Sequence, residues 1–313
     1  MKKIISILLT MIMVLLMAAP AFALTNATEV LVYDFKTLKE NIEQLSDNAR
    51  VEYKIFNDIV FTDTIEMNAK NLVIEFSNNS GKDEVNFIIG DKIGLYLKWG
   101  SKNCNLKFDN ITFKGNGTYY KDADDGNGIY VGQYSEKTKI DGAKFENLGV
   151  DYKEVVAASN CGAGMYINSE DITISNCKFV KCHAYCGGGM YIDNDDVTVE
   201  GCTFDSCSSE YGGGVYVGRT CSEVYIKDCT FINPTSHKQI GHAVYGSGED
   251  STFVYRSGNE VGFGTWFAYC TVDPNYQGSF LSTGNIAIVS AVVVLVGIAT
   301  VIFIKRKKKA THN

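Results

Sequence analysis

The feature that most constrains the fold of this chain is an internal repeat of about 25 residues. Three copies align at residues 172–192, 197–217 and 224–245, each with an alternating apolar segment, a Cys-x-Phe motif and a Gly-rich Tyr motif. Weaker copies lie at 106–130 and 139–166. A period of this length is too short for the paired-helix repeats, and the Leu ladder of a leucine-rich repeat is missing.

Each repeat contains short strands of the form Ile-x-Ile and Met-x-Ile, interrupted by Gly or Asn. One such unit cannot bury its apolar face, but stacked units can, with equivalent residues about 4.8 Å apart. The sequence therefore predicts an all-β fold, a parallel β-helix over residues 51–275. We expect roughly nine coils and a rod of about 43 Å.

Strand alternation assigns the two faces of each coil. Residues such as Ile172, Ile174 and Phe179 point inward, whereas Tyr166, Tyr191 and Tyr216 point outward at regular 25-residue intervals. These three tyrosines are the candidate binding residues, because a row of aromatic rings with polar tips suits contact with a glycan or a protein. The alternative is that they stack only because aromatic side chains suit strands.

A short helix is predicted within the N-terminal segment, residues 24–50. Phe35, Leu38, Ile42 and Leu45 share one helical face, and Asp34 is suited to the N-cap. A solenoid needs its open end covered, because exposed strand edges recruit other chains. We therefore interpret this helix as the cap of the β-helix.

The two ends of the chain predict export and anchoring. Residues 1–23 have the basic start, the apolar run and the Ala21-Phe-Ala23 site of a secretory signal peptide. Residues 286–304 are uncharged and long enough for a transmembrane helix, and the basic tail, residues 305–313, is expected in the cytoplasm. The sequence thus predicts a cell-surface protein with its N-terminus outside.

The linker at 276–285 contains Phe280-Leu-Ser-Thr283-Gly284. With the apolar span and basic tail behind it, this segment resembles a Gram-positive sortase sorting signal, Leu-Pro-any-Thr-Gly. Thr283 and Gly284 match that signal, whereas Phe280 and Leu281 replace its Leu and Pro. The resemblance implies attachment to peptidoglycan in the cell wall, and a permanent single-pass anchor in the membrane is the alternative.

The net charge of the protein limits the classes of ligand that it can bind. The net charge of the chain is −7. Lys2, Lys3 and the five basic residues at 305–309 lie in the flanks, which contain no acid, so the exported part carries 22 basic and 36 acidic residues, a net charge of −14. Such a surface repels polyanions, and nucleic acid is not expected as a partner.

The Gly-Gly-Gly-[Met/Val]-Tyr and Cys-x-Phe motifs, together with Phe113-Lys-Gly-Asn116, resemble the repeat of the polymorphic outer-membrane proteins and related bacterial adhesins. The likeness covers residues 106–245. It implies a right-handed β-helix and a role in surface adhesion. Cys182 and Cys207 stand where that repeat usually has Asn, and the C-terminal anchor replaces the family's translocator.

The cysteines follow the repeat in three groups. Cys177, Cys202 and Cys229 align with one another, Cys182 aligns with Cys207, and Cys161 aligns with Cys186. Export favours disulfides between neighbouring coils. A ladder of reduced thiols would pack equally well, because Cys behaves as a small hydrophobic residue. Both interpretations stay open at this point.

No catalytic residue, metal site or cofactor is predicted. The Asp193–Asp196 cluster and the Lys227-Asp228 pair are the only candidates for the carboxylates that a polysaccharide-cleaving enzyme needs. The favoured function is a non-enzymatic adhesin or binding module for a glycan or for a host or neighbouring-cell protein. The alternative is a surface polysaccharide lyase or hydrolase of the pectate-lyase-like β-helix type.

Overall fold

The computed structural model shows a parallel β-helix. It describes residues 27–117, 126–149, 160–219, 221, 223–239, 241–247, 254–261, 267–268 and 271–272. The predicted signal peptide, linker with Thr283 and Gly284, transmembrane helix and basic tail all lie outside these residues. Within them, no helix is long and apolar enough to cross a membrane.

Each coil contributes one strand to each of three parallel sheets, in the order A, B, C. Sheet A consists of β1 (Thr28–Val32), β2 (Arg50–Ile55), β5 (Val73–Asn78), β8 (Asn105–Asp109), β11 (Thr138–Asp141), β14 (Ile172–Ser175), β17 (Val197–Glu200), β21 (Val224–Lys227), β25 (Val254–Ser257) and β28 (Thr271–Val272). Its ten strands span about 43 Å at the usual strand spacing, and they include β1, which precedes the predicted range 51–275.

The other sheets follow the same stacking order. Sheet B consists of β3 (Ile59–Val60), β6 (Val85–Ile89), β9 (Ile111–Gly115), β12 (Lys144–Glu146), β15 (Lys178–Val180), β18 (Thr203–Asp205), β22 (Thr230–Ile232) and β26 (Glu260–Val261). Sheet C consists of β4 (Ile65–Met67), β7 (Leu95–Leu97), β10 (Ile129–Val131), β13 (Met165–Ile167), β16 (Met190–Ile192), β20 (Val215–Val217), β24 (Val244–Gly246) and β27 (Phe267–Ala268). A two-stranded sheet pairs β19 (Ser208–Ser209) with β23 (Thr235–Ser236).

The predicted N-terminal helix is present as α1 (Phe35–Glu43). Asp34 is its N-cap and accepts a hydrogen bond from the Thr37 amide at 2.8 Å, while Leu38 and Ile42 are buried. The β-helix nevertheless begins before this helix, because β1 pairs in parallel with β2. β1 thus adds one strand to sheet A before the start that we predict at residue 51. The sequence does not indicate this strand, because it carries no repeat motif.

The core explains the glycines of the repeat. A column of fully buried phenylalanines runs along sheet B through Phe113, Phe145, Phe179, Phe204 and Phe231. In the five coils of β7, β10, β13, β16 and β20, the glycine that immediately precedes the sheet C strand lies against this column. A Cβ atom added to Gly164 or Gly189 would lie 2.5 or 2.7 Å from a ring carbon of the phenylalanine beside it. Glycine here leaves room for the rings.

The first glycine of the motif has a different role. Gly126, Gly162, Gly187, Gly212 and Gly241 all have φ between 60° and 65°, the left-handed region in which L side chains are disfavoured. These glycines turn the chain sharply into sheet C. The motif therefore combines a backbone requirement at its first position with a packing requirement at its last.

Candidate functional site

The outward tyrosines form one continuous column on sheet C. Tyr166, Tyr191 and Tyr216 are in register on neighbouring strands, as predicted. Their ring centroids are 4.9 and 5.1 Å apart, and the rings are nearly parallel. Each ring is half-buried, because its faces contact the rings above and below.

The column is longer than these three residues. Tyr130 lies 4.8 Å from Tyr166 at an interplanar angle of 2°, and Tyr96 packs edge-on against Tyr130 at 5.2 Å. At the other end Tyr245 lies 5.3 Å from Tyr216. Tyr130 and Tyr245 belong to the repeat but are not among the predicted binding residues, and Tyr96 was not identified from the sequence. The segment Gly94-Leu-Tyr-Leu97 carries the same Gly-apolar-Tyr-apolar pattern and could have revealed it.

Asp193 fixes the centre of the column. It follows β16 directly, and its two carboxylate oxygens accept hydrogen bonds from Tyr166 Oη at 2.8 Å and Tyr191 Oη at 3.2 Å. Burial, followed by the charge of Asp193, raises the pKa of both tyrosines well above the ordinary value. Burial raises the pKa of Tyr216 to about 12. The phenols of these three residues are therefore neutral at physiological pH, and the column offers uncharged rings with polar tips.

The aligned cysteines point into the core. Cys177, Cys202 and Cys229 occupy one buried column, which continues upstream as Ala143. Cys182 and Cys207 occupy a second buried column, in which Leu148 takes the equivalent position of the preceding coil. The replacement of Cys by Ala and Leu in equivalent coils indicates that these positions require a small or medium apolar side chain.

Among the cysteines that the structure describes, none forms a disulfide and all are buried. Burial, with a smaller effect of the neighbouring thiol, raises the pKa of Cys202 and of Cys207 well above the ordinary value. Cys161 and Cys186 lie opposite each other on adjacent coils, where their backbones form an isolated parallel β-bridge. In the structure these cysteines therefore pack as thiols, and the two interpretations of the sequence both stay predictions for the exported protein.

The acidic candidates do not converge on one point. Asp195 and Asp196 lie in the corner between sheets C and A, next to Asp193. Asp228 follows β21, in the corner between sheets A and B, and the ammonium of Lys227 lies 4.7 Å from the ring centroid of Tyr225. The two groups of acids therefore lie on different edges of the β-helix.

The histidines and the remaining acids suggest no metal site in the described part of the chain. His183 hydrogen-bonds through Nδ1 to Ser208 Oγ, and His242 Nδ1 accepts from the Ser236 amide at 3.3 Å. No three His, Cys, Asp or Glu side chains of the described residues are grouped to hold a metal ion. The acids at positions 122, 124 and 125 lie outside those residues.

Comparison with known proteins agrees with the geometry. A family model for a right-handed β-helix region matches residues 94–289, more than half of the chain. No curated protein matches the chain. The family match adds the handedness of the coils to the parallel pairing seen in the three sheets.

Proposed function

Because the chain belongs to the right-handed β-helix family, we propose that it is a surface-anchored, non-enzymatic adhesin or binding module that contacts a glycan or protein ligand along sheet C. The family establishes the fold, and function depends on the site that the fold carries. The observation that carries the proposal is the continuous tyrosine column from Tyr96 to Tyr245.

The column has two properties that favour binding. Its six rings extend over about 24 Å, at one ring per coil. They are also held in place by strand pairing, by ring stacking and by the contacts of Asp193 with Tyr166 and Tyr191. A ligand that lies along this strip would find it already ordered, so little side-chain entropy would be lost on binding. Tyrosine is also a residue type that often dominates binding energy.

The enzymatic alternative has less support in the described residues. Glycoside hydrolysis commonly requires two carboxyl groups about 5–10 Å apart across the scissile bond. Asp193 is already bonded to two tyrosine hydroxyls, and Asp195 and Asp228 lie on different edges of the β-helix. We therefore favour binding over turnover.

Anchoring is the second half of the proposal, and it rests on residues 276–313 of the sequence. If a sortase processes the linker, the mature chain ends at Thr283 and wall hydrolase releases it. If residues 286–304 are a permanent helix, detergent alone extracts the protein. We expect the intact mass of the material freed by wall hydrolase to end at Thr283, and a mass that includes later residues contradicts sortase processing.

The binding test is a screen of the purified full-length protein against glycan and surface-protein arrays, with a product assay on every ligand that binds. We expect Tyr191→Ala and Tyr216→Ala to weaken binding by about 2 kcal/mol or more, about 30-fold, as for a central aromatic contact. Tyr225→Ala is the matched control, because Tyr225 is an outward tyrosine of sheet A. New reducing ends or unsaturated products that Asp195→Ala or Asp228→Ala abolishes would overturn the non-enzymatic proposal.

A further inference from the structure

The corner between sheets C and A changes length along the β-helix. The connection from β7 to β8 has seven residues, 98–104, and that from β10 to β11 has six, 132–137. The next two connections, 168–171 and 193–196, have only four residues each. The connection from β20 to β21 lengthens again to six, 218–223.

A trough lies at this change in length. Residues of the corner 132–137 line a depression together with residues of the two short corners that follow it in the stack. We use the name corner trough for the surface of residues 168–171 and 193–196 with the wall formed by 132–137.

An exposed aromatic pair connects the wall of the corner trough, which contains Tyr134, to the preceding corner, which contains Trp99. Trp99 is 68% exposed and Tyr134 is 52% exposed, although their rings stack at 5.4 Å and 21°. Tyr134 also has φ of 59°, a left-handed conformation that bulky residues rarely adopt. The fold thus holds two large aromatic rings in solvent at the edge of a depression.

Polar groups line the depression below this pair. It has a volume of about 250 Å³, and Tyr134 lines it together with Gln133, Glu136, Ser169, Glu170 and Asn194. A ring face beside amide, hydroxyl and carboxylate groups suits a pyranose sugar. The C–H bonds of such a sugar pack on the electron-rich aromatic face, and its polar substituents reach the hydrogen-bonding groups.

The charge of the corner trough selects among sugars. No Lys or Arg lines the depression. Glu136 is paired with Lys102 at 2.8 Å, whereas Glu170 is exposed and forms no ion pair with a described residue. Asp171 and Asp196 are exposed in a neighbouring depression that Lys102 and Lys137 also line. Lys137 is the one cation among the residues of the corner trough, which also include six acids, Glu136, Glu170, Asp171, Asp193, Asp195 and Asp196. A uronate or sulfate would be repelled here, while a protonated amino group would be attracted.

We propose that the corner trough is a subsite for glycans that carry free amino groups, with Tyr134 stacking on the sugar ring, Trp99 supporting the opposite face of Tyr134 and Glu170 facing the ammonium. This inference rests on the proposed binding function and adds a ligand class and a second surface to it. The subsite lies beside the tyrosine column, since each corner directly follows a strand of sheet C.

The test is titration calorimetry of the full-length protein with a chitosan oligosaccharide and with its fully N-acetylated counterpart. We expect the free amine form to bind at least about 10-fold more tightly, and the difference to shrink as salt screens the charges. Trp99→Ala and Tyr134→Gly should each weaken binding of the amine form about 10-fold or more. Glu170→Gln should remove most of the preference for the amine.

Matched controls separate this proposal from general effects. Tyr33→Ala removes a ring that is also 52% exposed and stacked, on Phe56 at 4.8 Å, but directly follows β1, outside the corner trough. Asp83→Asn removes an exposed charge outside the corner trough. Neither should change affinity. Tyr134→Gly relieves a left-handed conformation, so loss of folding does not explain its effect.

Three results would overturn the proposal. They are the absence of any binding of the amine form, equal affinity for both forms, or binding that survives Trp99→Ala and Tyr134→Gly. If binding of this oligosaccharide is instead lost on Tyr191→Ala, the subsite is wrong but the tyrosine column remains supported. Binding of other array ligands that Tyr191→Ala abolishes likewise leaves the proposed function standing when the corner trough fails.

Discussion

Replacing Phe204 with alanine is expected to lower the free energy of unfolding by about 3–5 kcal/mol, the usual loss for a buried phenylalanine. Phe204 is fully buried at the centre of the phenylalanine column. Its ring stacks on Phe179 at 4.7 Å and on Phe231 at 5.0 Å, so the alanine leaves a cavity and removes two ring contacts. Urea unfolding followed by circular dichroism measures the change.

Two comparisons show whether the column itself is responsible. Phe204→Leu keeps most of the volume, so we expect a loss below about 1.5 kcal/mol. Phe56→Ala removes a half-exposed ring that stacks on Tyr33 near the N-terminal end, and about 1 kcal/mol is expected. Equal losses for Phe204→Ala and Phe56→Ala would contradict a core that depends on stacked rings.

The repeat made most of this core predictable from sequence. Ile172, Ile174 and Phe179 are all buried, because alternation fixes which side chains face inward once the strands are placed. The outward stack of Tyr166, Tyr191 and Tyr216 followed from the same rule and their 25-residue spacing. Where the period is strict, the place of a residue within the repeat determines where its side chain lies in the fold.

The features that escaped prediction lie where the period fails. Tyr96 precedes Tyr130 by 34 residues, so the 25-residue spacing did not reveal it. β1 is a strand without a repeat motif. The contact of Trp99 with Tyr134 depends on the conformations of two corners of different length, seven and six residues. Sequence spacing carries no information on such a contact, since the backbone of each corner determines where its side chains point.

For the glycines of the repeat motif, the sequence indicates only a preference for turns. The structure shows that Gly187 combines two separate demands. Its φ of 61° lies in the left-handed region, and an added Cβ would overlap the carbonyl oxygen of Met190. That oxygen belongs to the backbone of a core strand, so it cannot move aside as a flexible side chain could.

Gly187→Ala is therefore expected to lower the free energy of unfolding by about 2–5 kcal/mol, from about 1–2 kcal/mol of backbone strain and about 1–3 kcal/mol of steric overlap. Two other glycines isolate these contributions. Gly81 has φ of 77° and open space around an added Cβ, so Gly81→Ala should show the strain alone. Gly188 has no left-handed φ, but its added Cβ would lie 2.5 Å from the backbone oxygen of Ser208, so Gly188→Ala should show the overlap alone.

Urea unfolding of the three variants under one set of conditions shows whether backbone strain and steric overlap contribute separately to the loss of stability. If the two demands act independently, the loss in Gly187→Ala is close to the sum of the losses in Gly81→Ala and Gly188→Ala. A loss in Gly187→Ala no larger than that in Gly81→Ala would mean that the coil moves to accommodate the new methyl group. The first glycine of the repeat motif would then be required only for the turn.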